Sequence, residues 1–297
     1  MNSDYLDLAS LDALMQTGRL GKAAGWANEV WDTIDSTNTR ALELAKAGAA
    51  EGVIIAARQQ TAGRGRLGRV WVSPPDSGLY ISFLLRPKLP IAQVPIMSLI
   101  AGTAVAKAIE HVCGVRVGLK WVNDITYGGK KIGGVLAEMT SARASGTDAA
   151  TGAAVSAATN NSARTDSSAA LVIGIGINLR MDRASMPAEL QQTAEAVENI
   201  SSAPVNANQL AATLALELEI GYELLLQGER TQVLTRWKEY SITLGKRVQA
   251  ISGDKTIEGT AIDLANDGAL VLRLDDGKDM LLLAGEVSIR NVDGSYA

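Results

Sequence analysis

The pattern of apolar and polar positions divides residues 31–242 into helices and strands. Apolar residues that recur three and four positions apart are typical of an amphipathic helix, whereas short continuous apolar runs are typical of buried strands. Helical spacing is found at residues 35–48, 96–112, 207–227 and 231–240. Strand-like runs are found at residues 53–57, 78–85, 115–121, 131–139 and 171–178. The strand at 171–178 pairs naturally with that at 131–139, so we expect both in one sheet.

The character of the sequence changes at Lys246, where short strands separated by turn residues replace the longer elements. The turn signals are Ser252-Gly253-Asp254, Asn266-Asp267-Gly268 and Asp275-Asp276-Gly277. The strands predicted around them lie at residues 247–251, 256–264, 269–274, 280–283 and 287–290. Closely spaced strands over about 50 residues are typical of a small β-barrel, so we expect a C-terminal SH3-like unit.

Two segments fall outside both units. Residues 1–30 predict a single short helix, in a segment too short for a three-helix DNA-binding domain. Residues 141–170 contain 23 Ala, Ser, Thr or Gly residues out of 30, a composition that buries too little apolar surface to offset the entropy of ordering. Because predicted strands of one sheet lie on both sides, we expect this segment to be a flexible loop insertion and not a linker between domains.

Composition excludes several classes of protein. The net charge of −4 and the pI near 5.2 argue against a general nucleic-acid binder, which carries a basic surface. The single cysteine, Cys113, excludes an internal disulfide and a cysteine zinc cluster. The single histidine, His111, excludes a multi-histidine metal site. It lies in the last turn of a predicted helix, where a cation is favourable, and we assign it no catalytic role.

Neither a secretory signal nor a membrane span is predicted. The N-terminus carries Asp4, Asp7 and Asp12 where a signal peptide has basic and apolar residues. The longest uncharged stretch, residues 89–106, is interrupted by prolines and polar residues and is typical of a loop that leads into a buried helix. We therefore expect a soluble cytoplasmic protein.

The strongest chemical signal is Gln-Gln-Thr-Ala-Gly-Arg-Gly-Arg-Leu-Gly-Arg-Val-Trp at residues 59–71, which we call the Gly-Arg loop. Its glycines let backbone N–H groups approach an anion, and its three arginines supply forked donors for phosphate and carboxylate oxygens. Such a loop suits a reaction that brings two anions together. Considered alone, a solvated basic turn or an RNA-binding tract explains the pattern equally well. No Gly-Lys-Ser/Thr follows, so it is not a Walker loop.

A second signal is Lys120-Trp121-Val122-Asn123-Asp124, which a short turn separates from Lys131. A hairpin here places Lys120, Asn123, Asp124 and Lys131 near one strand end. A lysine in such a place can bridge a carboxylate and an α-phosphate, and an aspartate can hold Mg²⁺ or accept a proton from an amine. Considered alone, residues 123–129 are better explained as an ordinary turn.

Two weaker motifs complete the set. Gly174-Ile175-Gly176-Ile177-Asn178 places glycines in a strand, which marks either the close approach of a ligand or tight packing on a helix. No third glycine opens a helix, so a dinucleotide-binding fold is not expected. Ser36-Thr37-Asn38 offers two hydroxyls and an amide that suit a polar, uncharged head group, although such residues are more often only a helix cap.

Together and in this order, the motifs resemble those of the biotin–protein ligase family. They are Ser-Thr-Asn, Gln-Gln-x-Ala-Gly-Arg-Gly-Arg-x-Gly-Arg-x-Trp, Lys-Trp-x-Asn-Asp, Lys-x-x-Gly-Val-Leu and Gly-x-Gly-Ile-Asn, and the match spans residues 32–290. The resemblance implies an α+β fold with a mixed β-sheet and flanking helices, related to the class II aminoacyl-tRNA synthetases, and a C-terminal SH3-like β-barrel.

The resemblance also implies how the chain is divided. The implied domains are a helical lead-in at 1–30, a catalytic domain at 31–242 with the flexible insertion at 141–170, and the SH3-like domain at 243–297. Since no winged-helix segment precedes the first motif, we expect the monofunctional type, which lacks the N-terminal DNA-binding domain and has no repressor role.

Individual residues acquire roles through the same resemblance. Biotin is expected to contact Ser36, Thr37, Asn38, Gln60, Arg64, Gly65, Arg66 and Lys131. ATP is expected to contact Arg66, Arg69, Asn123, Asp124, Lys131 and Asn178. The expected catalytic groups are Arg64, Arg66, Lys131 and Asp124, with Asp124 either a metal ligand or a proton acceptor. No residue is assigned to a metal site of the protein itself. The poorly matching segment 181–204 does not reveal the aromatic residue that stacks on adenine in some relatives.

The implied activity has two steps. Biotin and ATP, with Mg²⁺, form biotinyl-5′-AMP, and biotin then passes to one lysine of a biotin carboxyl carrier protein, by resemblance that of acetyl-CoA carboxylase. Neither DNA nor a membrane is an expected partner. We expect the strand at 171–178 to be a sheet edge that can support a homodimer.

Three alternatives stay open. They are a lipoate or octanoate–protein ligase or transferase of the same fold, a non-catalytic RNA-binding protein, and a biotin-sensing regulator. The Gly-Arg loop and the C-terminal barrel favour biotin over lipoate, the acidic pI argues against RNA, and the missing DNA-binding domain argues against a regulator.

Overall fold

The fold is described by a computed structural model for residues 5–87, 94–140, 169–182, 187–252, 255–283 and 288–291. The insertion expected at 141–170 lies outside these residues, apart from its last two. Within the described ranges the α-helices are α1 (Leu8–Leu14), α2 (Thr37–Lys46), α3 (Val94–Cys113), α4 (Ala188–Thr193), α5 (Ala207–Leu226) and α6 (Arg230–Lys238). The strands are β1 (Glu29–Trp31), β2 (Ile54–Ala57), β3 (Gly78–Leu85), β4 (Gly118–Lys120), β5 (Asp124–Tyr127), β6 (Lys130–Met139), β7 (Leu171–Asn178), β8 (Arg247–Ser252), β9 (Lys255–Leu264), β10 (Leu270–Arg273), β11 (Asp279–Leu282) and β12 (Ser288–Asn291).

The first seven strands form one mixed sheet in the order β1-β2-β3-β7-β6-β5-β4. β1 pairs in parallel with β2, and the other neighbouring strands are antiparallel. Helix α2 packs on one face of the sheet, and α3 together with α5 packs on the other. The predicted α+β fold, with a mixed sheet and flanking helices, is confirmed.

Burial of both sheet faces explains the continuous apolar runs in the strands. In β2, Ile54 and Ala56 belong to the large core beneath α3 and α5, whereas Ile55 faces the smaller core beneath α2. In β7, Ile173 faces the large core and Val172 the smaller one. Helix α3 is long and apolar enough to cross a membrane, but 78% of its most apolar stretch is buried in the large core. It is therefore the central helix of the domain.

The start of α2 is fixed by side chains of its own motif. Ser36 is the N-cap and accepts the N–H of Thr39 at 3.4 Å. The Asp35 carboxylate accepts the N–H of Ser36 at 2.5 Å. The chain itself thus satisfies part of the donors that a helix start leaves unpaired. The cap positions the next two residues, Thr37 and Asn38, against β3, where both contact the same serine hydroxyl.

The last five strands form a separate antiparallel sheet in the order β11-β10-β9-β8-β12, which confirms the predicted C-terminal β unit. Trp121 is buried, and its Nε1 donates to the carbonyl oxygen of Gly268 at 3.0 Å, in the turn between β9 and β10. The loop after α6 pairs with β4, since the N–H of Leu119 donates to the carbonyl of Tyr240 at 2.8 Å. The turn between β9 and β10 therefore contacts the Lys-Trp-x-Asn-Asp motif through Trp121.

Two short strands depart from the sequence-based expectation. The apolar pattern does not predict β1, which is three residues long and is added by parallel pairing with β2. The turn expected at residues 123–129 is wrong in its first half, because Asp124–Tyr127 form β5. Residues 121–123 form the turn between β4 and β5, and the next reversal is at Gly128 and Gly129, both of which have positive φ, as tight hairpin turns require.

The sheet edge expected at residues 171–178 is also wrong. Strand β7 pairs with β3 on one side and with β6 on the other, so its main-chain groups are used within the sheet. The outer strands of the mixed sheet are β1 and β4. The reason given for a homodimer is thereby removed.

Candidate active site

A cavity opens on the face of the mixed sheet that carries α2. It encloses about 460 Å³, including its open mouth. Its walls come from the start of α2, the Gly-Arg loop, the residue before β5, and strands β6 and β7. The lining residues are Ser36, Thr37, Asn38, Gln60, Arg64, Gly65, Arg66, Trp71, Asn123, Lys131, Gly134, Val135, Leu136, Gly174, Ile175 and Gly176.

Glycines in β7 create part of the space for this cavity. Gly174 and Gly176 follow Val172 on the α2 face of the strand, since side chains alternate between the two faces. A Cβ atom at Gly174 would overlap Oδ1 of Asn38, and one at Gly176 would lie 2.6 Å from the indole of Trp71. The Gly-x-Gly motif is therefore required because polar and aromatic side chains lie directly on the strand.

The polar groups at the α2 end of the cavity are tied to one another. Oε1 of Gln60 accepts the N–H of Thr37 at 2.9 Å, and Nε2 of Gln60 donates to the Ser73 hydroxyl at 3.1 Å. The buried hydroxyl of Ser82, in β3, lies 2.8 Å from Oγ1 of Thr37 and 2.6 Å from Oδ1 of Asn38. An amide oxygen only accepts, so the one proton of the Ser82 hydroxyl goes to Asn38. The Thr37 hydroxyl lies between Ser82 and Oε1 of Gln60, which is 3.2 Å from Oγ1 of Thr37. Each of these side chains is thus held in one orientation.

The Gly-Arg loop is folded on itself at the mouth of the cavity. The N–H of Trp71 donates to the carbonyl of Gly63 at 2.9 Å, and the N–H of Gly65 donates to the carbonyl of Arg69 at 2.7 Å. The chain reverses beyond the second pair, at residues 66–68, where Gly68 has a φ of 71°. The loop is therefore a short hairpin with its own main-chain hydrogen bonds, which brings two arginines to the cavity wall.

Arg64 is held by an acidic residue of β6. Its Nη2 lies 2.6 Å from Oε1 of Glu138, and Oε2 of the same carboxylate accepts from Nδ2 of Asn38 at 2.8 Å. The side chain of Arg64 is 46% exposed and that of Glu138 is 20% exposed. One carboxylate therefore joins the Gly-Arg loop to the start of α2.

Arg66 points to the opposite end of the cavity. Its Nη1 donates to Oδ1 of Asn123 at 2.8 Å, and Nδ2 of Asn123 donates to the carbonyl of Val135 at 3.0 Å. Burial lowers the pKa of Arg66, with a contribution from Arg69, while the nearby carboxylate of Asp124 opposes the shift. A guanidinium remains charged at any physiological pH, so Arg66 places a partly desolvated positive charge at this end.

Lys131 supplies the second cation there. Its Nζ lies 2.5 Å from Oδ1 of Asp124. The pairing of β5 with β6 passes over Ile132, so that β6 contains a bulge. The bulge turns Lys131 to the same face as Gly134, where its Nζ would lie 3.2 Å from a Cβ at that glycine. Bulges commonly re-aim side chains beside active sites in this way.

Lys120 is a further cation beside this pair. It lies directly opposite Asp124 in the β4–β5 pairing and is only 3% exposed. Burial lowers the pKa of Lys120 to about 8; Asp124 opposes this shift, and Arg290, Lys131 and Arg69 add to it. Since this pKa still lies above 7, the amine carries a proton at neutral pH. The end of the cavity near Asp124 therefore has an excess of positive charge.

Trp71 lies between the two ends. Its indole covers Gly176, and the Nζ of Lys131 lies 5.4 Å from the ring centroid. The Nε1–H of Trp71 is buried and has no hydrogen-bond partner within the described ranges. A buried donor without a partner is costly, so an acceptor on a bound ligand would stabilise this arrangement.

The structure brings together most of the residues implied by the motifs. Those that line the cavity are Ser36, Thr37, Asn38, Gln60, Arg64, Gly65, Arg66, Asn123 and Lys131. Asp124 stands behind Lys131 as its ion-pair partner. Arg69 is exposed on the loop, and the amide of Asn178 donates to the carbonyls of Lys131 and Glu195 at 3.5 and 3.1 Å. The biotin, ATP and catalytic roles of all these residues stay predictions.

Three residues of this region are absent from the sequence-based set. Trp71 ends the Gly-Arg motif, and an aromatic residue two positions after the last arginine was the available signal. Ser82 is a polar residue inside the apolar run of β3, which is a signal because buried hydroxyls are hydrogen-bonded. Glu138 carries no such signal, since an acidic residue near the end of a strand is ordinary.

The side chains near Asp124 suit a metal ion that is also bound by a substrate. Within the described ranges, no group of three or more His, Cys, Asp or Glu side chains is placed to hold a metal ion. Asp124 offers a carboxylate, and Mg²⁺ in nucleotide sites is usually bound by one or two carboxylates together with phosphate oxygens. The residues therefore fit Mg²⁺ that is bound jointly with a nucleotide.

Comparison with known proteins identifies the family. Residues 30–156 match the Biotin/lipoate A/B protein ligase family, and residues 243–290 match the Biotin protein ligase C terminal domain. The bifunctional ligase/repressor BirA of Bacillus spizizenii is 31% identical over 246 residues, which are 83% of this chain and 69% of that protein. The chain belongs to the biotin protein ligase family.

Other members of the biotin protein ligase family match over almost their whole length. The biotin–[acetyl-CoA-carboxylase] ligase of Mycobacterium tuberculosis is 28% identical over 279 residues, which are 90% of this chain and 91% of that one. The biotin protein ligase of Aquifex aeolicus, in complex with biotin and ATP, superimposes with a TM-score of 0.70 and 26% identity over 90% of this chain and 100% of that one. The chain is therefore an enzyme of the ligase class, which excludes the alternative of a non-catalytic RNA-binding protein.

Proposed function

We propose that this ligase joins biotin to ATP, forming biotinyl-5′-AMP and pyrophosphate, and then transfers the biotinyl group to one lysine of a biotin carboxyl carrier protein. We take that carrier to be part of acetyl-CoA carboxylase. The observation that carries the proposal is one shared cavity: Thr37, Asn38 and Gln60 line it together with the cations Arg66 and Lys131. The names of the relatives and the Aquifex aeolicus complex with biotin and ATP support it.

The polar end of the cavity suits the head group of biotin. A cyclic urea presents two N–H donors and one carbonyl acceptor, so it needs fixed acceptors and donors. Thr37, Asn38 and Gln60 supply hydroxyl and amide groups whose orientations are set by hydrogen bonds within the protein. Preorganised polar groups bind such a ligand at a lower entropic cost than mobile ones.

The first step must bring two anions together. The carboxylate of biotin is ionised at neutral pH and needs no general base to attack the α-phosphorus. At a separation of about 4 Å and an effective dielectric constant of about 20, each contact between like charges costs about 4 kcal/mol. The charges of Arg66, Lys131 and Lys120 oppose this repulsion. One carboxylate oxygen forms a bond to the α-phosphorus while the bond from that phosphorus to pyrophosphate breaks, and the departing group takes the negative charge.

Asp124 is the carboxylate that would hold Mg²⁺ together with the phosphates of ATP if it serves as a metal ligand and not as the proton acceptor of the second step; the bound ion would neutralise part of the phosphate charge. The chain's own groups act beside it. Asn123 fixes the guanidinium of Arg66 at 2.8 Å, and Lys131, now paired with Asp124, can turn to the anionic oxygens of the substrates. Fixed charges in a partly desolvated site stabilise the developing charge more than water does.

In the second step the amine of the carrier lysine attacks the mixed anhydride. The amine must be neutral, whereas a solvated lysine has a pKa of about 10.4 and is mostly protonated. Asp124 is the carboxylate that we propose to orient this amine or accept its proton. The carbon–nitrogen bond forms, the bond to phosphate breaks, and AMP leaves.

The Gly-Arg loop protects the anhydride between the two steps. Its main-chain hydrogen bonds already fold it at the cavity mouth, and Arg64 and Arg66 anchor its two sides to Glu138 and Asn123. A closed loop excludes water, which would otherwise hydrolyse the intermediate. The same closure retains the adenylate until a carrier arrives.

Mass spectrometry of the carrier tests the proposal. The purified chain is incubated with ATP, Mg²⁺, biotin and a biotin carboxyl carrier domain, and in parallel with lipoate or octanoate instead of biotin. We expect the carrier to gain one biotinyl group only when ATP and biotin are both present, and a carrier with Arg in place of its acceptor lysine to gain none. Modification with lipoate or octanoate, but not with biotin, would favour the lipoate-type alternative and contradict the proposal.

A further inference from the structure

We infer that Glu138 is a positioning residue for the head group of biotin. It acts through Asn38 and Arg64, which it holds in place on two sides of the cavity. The inference rests on the proposed function. It adds that one side chain outside the recognised motifs organises the binding site before the ligand enters.

Glu138 joins three elements that are far apart in the sequence. It lies on β6, opposite Val172 of β7. Its Oε1 is 2.6 Å from Nη2 of Arg64 in the Gly-Arg loop, and its Oε2 is 2.8 Å from Nδ2 of Asn38 in α2. Both carboxylate oxygens are therefore used, each on a residue that lines the cavity.

The carboxylate decides which way the Asn38 amide faces. Oδ1 of Asn38 accepts from Ser82 and Nδ2 donates to Glu138. A flipped amide would set its oxygen against a carboxylate oxygen, and two acceptors repel each other. Gly174 leaves no room for Asn38 to move toward β7, because a Cβ there would already overlap Oδ1. Asn38 thus presents one fixed amide face to the cavity.

The same carboxylate fixes a side chain that would otherwise be mobile. Arg64 is 46% exposed, and an arginine in solvent has many rotamers to lose when it becomes ordered. Its pairing with Glu138, whose side chain is 20% exposed, orders the arginine and the loop in advance. Ligand binding then does not carry that entropic cost, which is the general basis of preorganisation.

A consequence for specificity follows. A head group with N–H donors and a carbonyl uses the fixed polar groups, whereas a dithiolane ring or an alkyl chain leaves them unpaired in a buried place. Loss of the carboxylate should therefore weaken biotin more than ATP, whose proposed contacts lie at the Lys131 end of β6.

Steady-state kinetics of biotin-dependent pyrophosphate exchange into ATP test the role. The variants are Glu138→Gln, Glu138→Asp, Arg64→Gln, the Glu138→Gln/Arg64→Gln double variant, and Glu217→Gln as the matched control. Glu217 pairs with Arg236 at 2.8 Å with exposures of 22% and 20%, close to the exposure of Glu138, but joins α5 to α6 away from the cavity. Thermal unfolding is recorded for each variant.

We expect Glu138→Gln to raise the KM for biotin about tenfold, with kcat and the KM for ATP within about twofold of the parent. Glu138→Asp keeps the charge, so the KM for biotin should rise less than in Glu138→Gln. This variant still tests the role if Glu138→Gln proves unstable. In the Arg64→Gln background Glu138→Gln should cost less than in the parent. Glu217→Gln should leave the KM for biotin unchanged.

An unchanged KM for biotin in Glu138→Gln would overturn the inference. An equal rise of this KM in Glu217→Gln would also overturn it, because it would indicate only the general loss of an ion pair. So would effects of Glu138→Gln and Arg64→Gln on the KM for biotin that are fully additive in the double variant. A parent enzyme that shows no biotin-dependent exchange contradicts the proposed function itself, whereas a parent that exchanges normally and is insensitive to Glu138 contradicts this inference alone.

Discussion

The carboxylate of Asp124 and the ammonium group of Lys131 form an ion pair of 2.5 Å at one end of the cavity. The same carboxylate lies close enough to Lys120 and Arg66 to raise the pKa of each, against the effect of burial. One negative group therefore faces three positive ones. The excess positive charge suits phosphate and carboxylate oxygens, and it gives Asp124 two possible partners when substrates arrive, a metal ion or an amine.

Asp124→Asn separates these two roles. If Asp124 orients or deprotonates the attacking lysine amine, the variant should slow transfer from preformed biotinyl-5′-AMP about 100-fold, within the usual range for loss of a general base. Formation of the adenylate should then change much less. Single-turnover rates of the two steps, measured separately, decide. Slow adenylate formation with normal transfer would assign Asp124 to Mg²⁺ instead.

Arg66→Gly should release the intermediate. The variant removes the guanidinium that donates to Asn123 at 2.8 Å and frees one side of the Gly-Arg loop. We expect escape of biotinyl-5′-AMP and labelling of lysines on a bystander protein such as serum albumin to rise about tenfold or more, because a hydrogen bond to a charged group is lost.

The neighbouring residue offers a matched control for that experiment. Leu67 is exposed and has a φ of 57°, which glycine adopts without strain. Leu67→Gly therefore adds a glycine to the same loop while keeping Arg66, and it should retain the adenylate as the parent does. Equal bystander labelling by the parent and Arg66→Gly would contradict the role of the loop.

Gly174→Ala should damage the α2 end of the cavity. The new Cβ would overlap Oδ1 of Asn38, so the amide or the strand must shift. We expect the free energy of unfolding to fall by about 1–3 kcal/mol, as for other overpacked positions, and the Kd for biotin to rise about tenfold. Calorimetric titration with biotin and urea unfolding measure the two effects.

Gly102→Ala, in α3, is the control, because its Cβ would meet only the side chain of Leu119 at 3.6 Å. If Gly102→Ala bound biotin as weakly as Gly174→Ala, the effect would not be local to the cavity.

Lys120 predicts how stability depends on pH. Burial lowers the pKa of Lys120 to about 8, whereas in the unfolded chain it is about 10.4. Between these two values the unfolded chain keeps a proton that the folded chain has lost, so the free energy of unfolding rises with pH in this window. Below pH 8 both states are protonated and the folded state carries the full cost of the buried charge. The total change is on the order of 3 kcal/mol.

Lys120→Met removes the titrating amine and with it this contribution to the pH dependence. The difference in unfolding free energy between Lys120→Met and the parent should therefore favour the variant at about pH 7 and shrink by about pH 10. Urea unfolding of both proteins at several pH values measures it. A difference that is constant or grows with pH would contradict the assignment of a lowered pKa to Lys120.

The apolar pattern was sufficient to locate most of the elements, because strands buried on both faces and helices with one buried side leave clear periodic signals. The pattern could not predict which strands lie next to each other in the sheet. Strand β7 was expected at an edge and lies in the middle of the sheet, between β3 and β6. The order of strands depends on long-range packing, which no local spacing records. Strand β5 was hidden for a related reason, since Asp124–Tyr127 precede two glycines and have the composition of a turn.

The motifs predicted the residues that line the cavity better than the residues that hold them in place. Arg66 and Lys131 belong to short motifs of residue types that suit phosphate and carboxylate groups, so they can be recognised in the sequence. Glu138 belongs to the same arrangement but lies 74 positions from the arginine it holds. A single carboxylate has no periodic or compositional mark, and only the folded strand brings it to Arg64. The bulge that turns Lys131 into the cavity is equally invisible before β5 and β6 are paired.

Exchange of labelled pyrophosphate into ATP is the most direct test of the central claim, that fixed cations in one cavity join a carboxylate to an α-phosphate. The account predicts exchange by the purified chain that depends on biotin and falls at least about 100-fold in Lys131→Gln, as for other groups that stabilise transition-state charge. Lys130→Gln should exchange like the parent, because Lys130, the residue before Lys131 in β6, pairs with Glu195 at 3.5 Å. Exchange that is absent with biotin, or that is equal in the two lysine variants, would contradict it.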